Sequence, residues 1–166
     1  MGNLNSIIAR HNKKVLSGEQ NQPPDCQCEH NPCPVEGKCA SQGVIYQATV
    51  KQTDGTTTTD SYIGLTERKF LDRYKEHYTN FESRHPKNCT KLSKTIWSLE
   101  DQQRTYEIKW KILQEVKPYK AGNSECCLCL MEIYFIIFQP EKASLNSRNE
   151  MLNKCRHKNK YKLSKF

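Results

Sequence analysis

The stretch GVIYQATVKQTDGTTTTDSYIG, residues 43–64, determines the fold of this chain. Its first ten residues alternate in polarity and are rich in β-branched side chains, which is the pattern of a half-buried β-strand. Asp54-Gly55 is a hairpin turn signal, because glycine can adopt the positive φ of a tight turn. A second strand that ends in Ser61–Gly64 would pair with the first, so the stretch predicts an antiparallel hairpin.

Three helices and one more strand are predicted after the hairpin. The first helix has Thr66 as its N-cap and apolar residues at helical spacing: Phe70, Tyr74, Tyr78 or His77, and Phe81. Residues 92–99 predict a second helix, and the alternation in 106–116 predicts a half-buried third strand. Residues 128–138 are almost wholly apolar and predict a buried helix. The order of elements predicts an α+β fold in which helices flank a small three-stranded antiparallel sheet.

The chain is expected to contain four segments. Residues 1–25 form an N-terminal amphipathic helix, with Leu4, Ile7, Ile8, His11 and Val15 on one face, followed by a polar linker. A cysteine-rich knuckle spans 26–40, the core domain spans 41–141, and a basic segment spans 142–166.

The charge of the chain is concentrated at its C-terminal end. The 166 residues carry a formal charge of +8, and residues 142–166 hold eight basic side chains against one acidic side chain. Such a segment is either a solvated tail or an arm for a phosphate backbone. As an arm it would bind DNA through these residues: Lys154, Arg156, Lys158, Lys160 and Lys162. No stretch approaches the roughly 18 apolar residues that span a membrane, so no membrane partner is expected.

Nine cysteines lie mostly in two groups that indicate structural zinc. The chain shows no secretory signal pattern, so a reducing, intracellular compartment is expected, where disulfides are rare. The first group has four cysteines within fourteen residues, which is typical of a zinc knuckle: Cys26, Cys28, Cys33 and Cys39. A second site would combine Cys126 and Cys129 with Cys155 and His157. The alternative is free thiols or partial use of the ligands in the first group, and small buried cysteines on a helix in the second.

Glu132 is the one charged residue within the apolar segment 128–138. An unpaired carboxylate costs several kcal/mol to bury, so it must face solvent or meet a cation. In the second case it would be a ligand for a hard metal such as Mg²⁺ or Mn²⁺. Taken alone, Arg73 and His77 are an ordinary charged helix surface, and Tyr46 and Tyr62 are common cross-strand aromatics.

In combination, these residues resemble the GIY-YIG endonuclease family. The first motif is Gly43-Val44-Ile45-Tyr46, the second is Tyr62-Ile63-Gly64, and Arg73, His77 and Glu132 follow in the family's order. The resemblance covers about residues 40–160. It is closer still to the endonuclease domain at the C-terminus of Penelope-like retroelement reverse transcriptases, through the cysteine knuckle, YIGLTERKF, LSKTIW, LNSRNE and CRHKNKY.

The resemblance implies a DNA endonuclease that hydrolyses phosphodiester bonds. Glu132 would hold one Mg²⁺ or Mn²⁺ at the scissile phosphate, and Arg73 would bind that phosphate. Tyr46, with Tyr62 beside it, would activate or position the attacking water, and His77 would assist as a proton carrier. Asn146 matches the family's late asparagine and would orient the substrate.

The resemblance also implies a biological setting. A nick in target DNA would expose a 3′ hydroxyl that primes reverse transcription, with a reverse transcriptase domain of the same polyprotein and element RNA as partners, in the nucleus. The alternatives are a non-catalytic zinc-stabilised DNA- or RNA-binding module, and a repair or recombination nuclease of the same fold.

Overall fold

The computed structural model describes residues 26, 33–55, 58–85, 89–117, 119, 126–147 and 155. Its elements in chain order are β1 (Gln42–Gln52), β2 (Thr59–Lys69), α1 (Phe70–Ser83), α2 (Lys91–Asp101), β3 (Tyr106–Glu115), α3 (Cys127–Phe138) and a 3₁₀ turn (Pro140–Lys142). The predicted N-terminal helix, the linker and most of the basic segment lie outside the described residues.

The three strands form one antiparallel sheet in the order β2-β1-β3, which confirms the predicted α+β class. The hairpin between β1 and β2 also forms, with the Gln52 N–H donating to the Thr58 carbonyl at 3.2 Å. Gly55 has a φ of +90°, a conformation that a side chain would strain. In this register Tyr46 lies opposite Gly64, and Ala48 lies opposite Tyr62.

Both faces of the sheet are buried, which explains why β1 has so few exposed residues. One face packs against α1 and α2 in a cluster that includes Tyr46, Phe70 and Ile96. The other face packs against α3 through Ile45, Ile63, Leu128 and Phe135. The alternating side chains of β1 therefore enter two separate cores, because successive residues of a strand point to opposite faces.

The strand β2 does not end at Gly64, and Thr66 is not an N-cap. The strand continues to Lys69, because its later residues still pair with β1: Leu65 lies opposite Ile45, and Lys69 lies opposite Gln42. The helix α1 begins at Phe70 without a side-chain cap. The Phe70 and Leu71 amides instead donate to the carbonyls of Ser41 and Cys39, both at 2.9 Å, which satisfies donors that a cap would otherwise serve.

The helix α3 is buried on one side only, which corrects the prediction of a buried helix. Four large apolar side chains are 44–69% exposed: Leu130, Tyr134, Ile137 and Phe138. They lie on the side away from the sheet, since a single three-stranded sheet can cover one face of this helix only. Within the described part of the chain, no helix is both long enough and apolar enough to cross a membrane.

A loop after the 3₁₀ turn covers part of the outer edge of β2. The Leu145 N–H donates to the Ser61 carbonyl, and the Ser144 hydroxyl accepts from the Ser61 N–H. The Asn146 side chain binds the backbone of Ile63 twice, accepting from its N–H at 2.8 Å and donating to its carbonyl at 2.9 Å. The strand that carries Gly64 is therefore held on both sides.

Candidate active site

The Tyr46 hydroxyl is the centre of a buried polar cluster between β1 and α1. The Arg73 Nε donates to this oxygen at 3.0 Å, and the His77 Nε2 lies 2.7 Å from it. Arg73 and His77 are one helical turn apart on α1, so both side chains reach the same point on the sheet. The structure thus brings together the three residues that the sequence placed on a strand and a helix.

Gly64 leaves the space that the Tyr46 ring occupies. A Cβ at Gly64 would lie 2.5 Å from the Tyr46 Oη and 2.6 Å from its Cζ. These distances are far inside van der Waals contact, so no side chain fits there while Tyr46 keeps its position. The glycine of the YIG motif is thus required by packing across the strand pair.

Tyr62 lies beside this cluster. It is buried, and its ring centroid is 6.1 Å from that of His77, in an edge-on arrangement. Because it lies opposite Ala48, it is a diagonal neighbour of Tyr46 on the same face of the sheet. Tyr62 therefore forms a wall of the cluster, next to the hydroxyl group at its centre.

Burial keeps both Tyr46 and His77 uncharged near neutral pH. Burial raises the pKa of Tyr46 to about 12, against the lowering effect of Arg73, and the charges of Glu132 and Glu76 add to the rise. Burial, followed by the charge of Arg73, lowers the pKa of His77 to about 3. A neutral imidazole is therefore available to accept a hydrogen bond from the phenol.

His77 also carries a buried nitrogen without a partner. Among the described residues, only its Nδ1 and the Trp110 Nε1 are buried side-chain nitrogen or oxygen atoms that lack a hydrogen bond. The two rings lie close, with centroids 5.3 Å apart. An unpaired buried polar atom costs roughly 1–3 kcal/mol, so the position of His77 is not one that stability alone would favour.

Stability is expected to depend on the protonation of His77. Its folded pKa of about 3 lies below the ordinary value of 6.5, so its contribution is complete above pH 6.5. As the pH falls from 6.5 toward 3, the His77 imidazole binds a proton in the unfolded chain but stays neutral in the folded chain. Stability then falls by up to about 1.4 kcal/mol per pH unit.

Urea unfolding at pH 7, 6, 5 and 4 measures this dependence. His77→Gln removes the titrating group, so its curve against pH should be shallower than that of the wild type. Equal slopes for His77→Gln and the wild type would contradict the buried neutral imidazole.

Arg73 is shared between the tyrosine and a carboxylate. Besides its bond to Tyr46, its Nη1 donates to the Glu76 Oε2 at 3.1 Å. The other oxygen of Glu76 accepts from the Nη2 of Arg68, near the end of β2. The sequence of this part of α1 is that of an ordinary charged helix surface, so the contact between Glu76 and Arg73 was not predicted. The signal was the spacing of three residues between Arg73 and Glu76.

Glu132 lies on the sheet-facing side of α3, which packs on the opposite face of the sheet from α1 and its Arg73 and His77. It is spaced four residues from Leu128 and three from Phe135, both of which are buried, and it is itself half-buried. Its charge contributes to the raised pKa of Tyr46, so the two side chains influence each other electrostatically. A carboxylate in this position offers hard oxygen ligands, which suit Mg²⁺ or Mn²⁺.

Asn146 has a role in the fold that the sequence did not predict. Its amide group binds the backbone of Ile63, one residue before Gly64. It thereby supports the strand under the cluster. The five basic residues proposed to bind DNA, Lys154, Arg156, Lys158, Lys160 and Lys162, lie outside the described residues.

Two groups of cysteines could each hold a metal ion. The sulfurs of Cys26, Cys33 and Cys39 lie within 4.8 Å of one another, and the same holds for Cys126, Cys129 and Cys155. The Cys129 and Cys155 sulfurs are 3.5 Å apart, close to the separation of about 3.8 Å that Zn–S bonds of 2.3 Å set in a tetrahedron. The other expected ligands, Cys28 and His157, lie outside the described residues.

No protein-family model, curated protein or solved structure matches this chain.

Proposed function

We propose that this chain is a metal-dependent DNA endonuclease with a GIY-YIG-type fold and site, which nicks one strand. The observation that carries the proposal is the convergence of Arg73 and His77 on the Tyr46 hydroxyl, opposite Gly64. A cross-strand aromatic that served only the core would not need a half-buried arginine and a neutral histidine at its oxygen. The resemblance to the GIY-YIG endonuclease family indicates that this geometry would serve the hydrolysis of a phosphodiester bond.

The proposed reaction is attack of water on the scissile phosphorus, with cleavage of the bond to the 3′ oxygen. Tyr46 accepts a hydrogen bond from the water at Oη and donates its own to the His77 Nε2, which lies 2.7 Å away, so that the water is held for attack. The proton of the water leaves to solvent, and the 3′ oxygen takes up a proton from solvent as it departs. The pair orients the water and does not keep its proton, because a Tyr46 pKa of about 12 leaves the phenol un-ionised and a His77 pKa of about 3 makes the imidazole a weak base at neutral pH. Arg73 binds a non-bridging phosphate oxygen through the part of its guanidinium that does not contact Tyr46 or Glu76.

Glu132 would hold the divalent cation in this proposal. The cation would act as a Lewis acid that stabilises the negative charge on the phosphate oxygens. The half-buried carboxylate fits this role because it is a hard oxygen donor on the sheet-facing side of α3, and its charge acts on Tyr46. The product would be a 3′ hydroxyl, the primer that a Penelope-like reverse transcriptase domain would extend.

A supercoiled-plasmid assay with Mg²⁺ or Mn²⁺ tests this function. The wild type should convert supercoiled DNA to relaxed circles, and EDTA should stop it. Glu132→Ala and Arg73→Ala should each slow the reaction by about 10²–10³-fold, since each removes charge stabilisation at the phosphate. DNA binding without nicking by the wild type would favour the binding-module alternative, and equal nicking by all three proteins would refute the proposed site.

We further propose that both cysteine groups hold structural Zn²⁺. Three sulfurs in each group lie close enough to share one ion, and thiolate ligands favour zinc. Elemental analysis should find two zinc ions per chain. Cys39→Ser and Cys129→Ser should each remove one, while Cys89→Ser, outside both groups, should remove none. A folded wild-type protein without zinc would contradict this assignment.

A further inference from the structure

We propose that Glu76 is a positioning residue for Arg73, and that Arg68 in turn fixes Glu76. This inference rests on the proposed nuclease function, because it concerns how the phosphate-binding arginine is held. Glu76 is neither a metal ligand nor a proton carrier in the proposed reaction. Its contribution would be the orientation of one guanidinium group.

The contacts divide the Arg73 guanidinium into a fixed side and a free end. Its Nε donates to Tyr46 at 3.0 Å, and its Nη1 donates to Glu76 at 3.1 Å. A guanidinium has five N–H donors in one plane, so two bonds to different partners fix the rotation of that plane. In the described part of the chain, the remaining donors are left for a phosphate.

Glu76 is itself fixed by a second arginine. Its Oε1 accepts from Arg68, while its Oε2 accepts from Arg73. Burial acts to raise the pKa of Glu76, but the hydrogen bonds from the two arginines outweigh it and hold the pKa below its ordinary value. The carboxylate therefore stays charged. Because it accepts from Arg68 at the end of β2 and from Arg73 on α1, it connects the sheet to the helix that carries Arg73.

The ion pair between Arg68 and Glu76 adds little to the stability of the fold, so its main effect would be to position Arg73. The Arg68 and Glu76 side chains are 59% and 39% exposed, and ion pairs exposed to this extent contribute little to stability because water screens them. A misplacement of a catalytic contact by about 1 Å, in contrast, can cost on the order of 10²-fold in rate. Arg73 is less exposed, at 25%, so its placement is the part that matters for the reaction.

The charge of Glu76 gives this role a distinctive signature. A carboxylate beside the phosphate site repels DNA, so its removal should leave DNA affinity unchanged or slightly higher. If Glu76 positions Arg73, the same removal should slow cleavage. A residue that acted only through stability or net charge would not slow cleavage while binding was maintained.

Single-turnover nicking and DNA affinity, measured on Glu76→Ala and Glu76→Gln, test the inference. Glu76→Ala should nick about 10–100-fold more slowly at unchanged or tighter DNA binding. Glu76→Gln keeps an oxygen for Arg73 and should recover most of the rate. Glu82→Ala makes the same charge change at an exposed position of α1 and should nick at the wild-type rate. Arg68→Ala alone should nick more slowly than the wild type. The double variant Arg68→Ala/Glu76→Ala should nick as fast as Glu76→Ala alone, because the two residues act through one contact.

A second measurement does not depend on activity. The NMR signal of the Arg73 Nε–H should exchange slowly with water in the wild type and faster in Glu76→Ala. If the wild type does not nick DNA, the proposed function fails, and this exchange still decides whether Glu76 holds Arg73. Unchanged exchange in Glu76→Ala, a wild-type cleavage rate, or rate and affinity falling together would overturn the inference.

Discussion

Tyr46→Phe is expected to slow nicking by about 10³–10⁴-fold and to leave the fold intact. The phenylalanine ring would keep the packing of Tyr46 against Phe70 and Trp110, whose ring centroids are 5.4 Å and 6.0 Å away. The lost oxygen is the atom on which Arg73 and His77 converge. The substitution therefore removes both the oxygen that accepts a hydrogen bond from the attacking water and the oxygen to which the arginine donates. Initial rates of relaxed-circle formation measure the effect.

Tyr62→Phe is the matched control for this prediction. It removes the same group from a diagonal neighbour on the same face of the sheet, so the chemical change is identical. We expect a smaller loss, about tenfold, since Tyr62 forms a wall of the cluster. Wild-type rates in Tyr46→Phe, or a larger loss in Tyr62→Phe than in Tyr46→Phe, would refute the assignment of Tyr46 as the central group.

Gly64→Ala is expected to destabilise the protein by about 3 kcal/mol and to abolish most nicking. The new Cβ would overlap the Tyr46 Oη and Cζ, which would lie 2.5 Å and 2.6 Å away. The ring is enclosed by Phe70 and Trp110, so it cannot move aside without disturbing the core. Urea unfolding measures the stability, and the plasmid assay measures the activity.

Gly55→Ala separates this steric effect from the ordinary cost of replacing a glycine. Gly55 has a φ of +90°, and among the described residues no atom apart from its chain neighbours lies within 4 Å of an added Cβ, so its substitution introduces backbone strain without a clash against them. That strain should cost roughly 1–2 kcal/mol and leave nicking unchanged. An equal loss of stability in both variants, or normal nicking by Gly64→Ala, would show that the fit of Tyr46 against Gly64 is looser than described.

The pattern of residues predicted the sheet well because strand alternation is a local signal. The two strands of the hairpin and the strand of Tyr106 were identified from alternation and turn chemistry. The far end of β2, residues 65–69, was not identified as strand. Thr66 has a side chain typical of a helix cap, and its pairing with Val44 is a long-range contact that local sequence does not reveal. The ladder to β1 outweighed the local preference. The exposed face of α3 was missed because its sequence is apolar on every side.

The members of the candidate site were predicted from the sequence, but their connections were not. Motif order and spacing selected Tyr46, Arg73 and His77, yet gave no information on which atoms meet. That three groups share one oxygen depends on how α1 lies on the sheet. The contacts of Glu76 could not be predicted either, because they also depend on tertiary packing: its second partner, Arg68, lies on β2 and Glu76 lies on α1.

The loop at residues 144–146 has a consequence for how copies of this protein behave at high concentration. An edge strand presents unpaired N–H and C=O groups that another chain can use to extend the sheet, which is a common route to aggregation. At Ser61 and Ile63 these groups are already bonded within the molecule. Over these residues, the strand that carries the YIG glycine is closed to strand addition, so the loop protects the solubility of the protein as well as its shape.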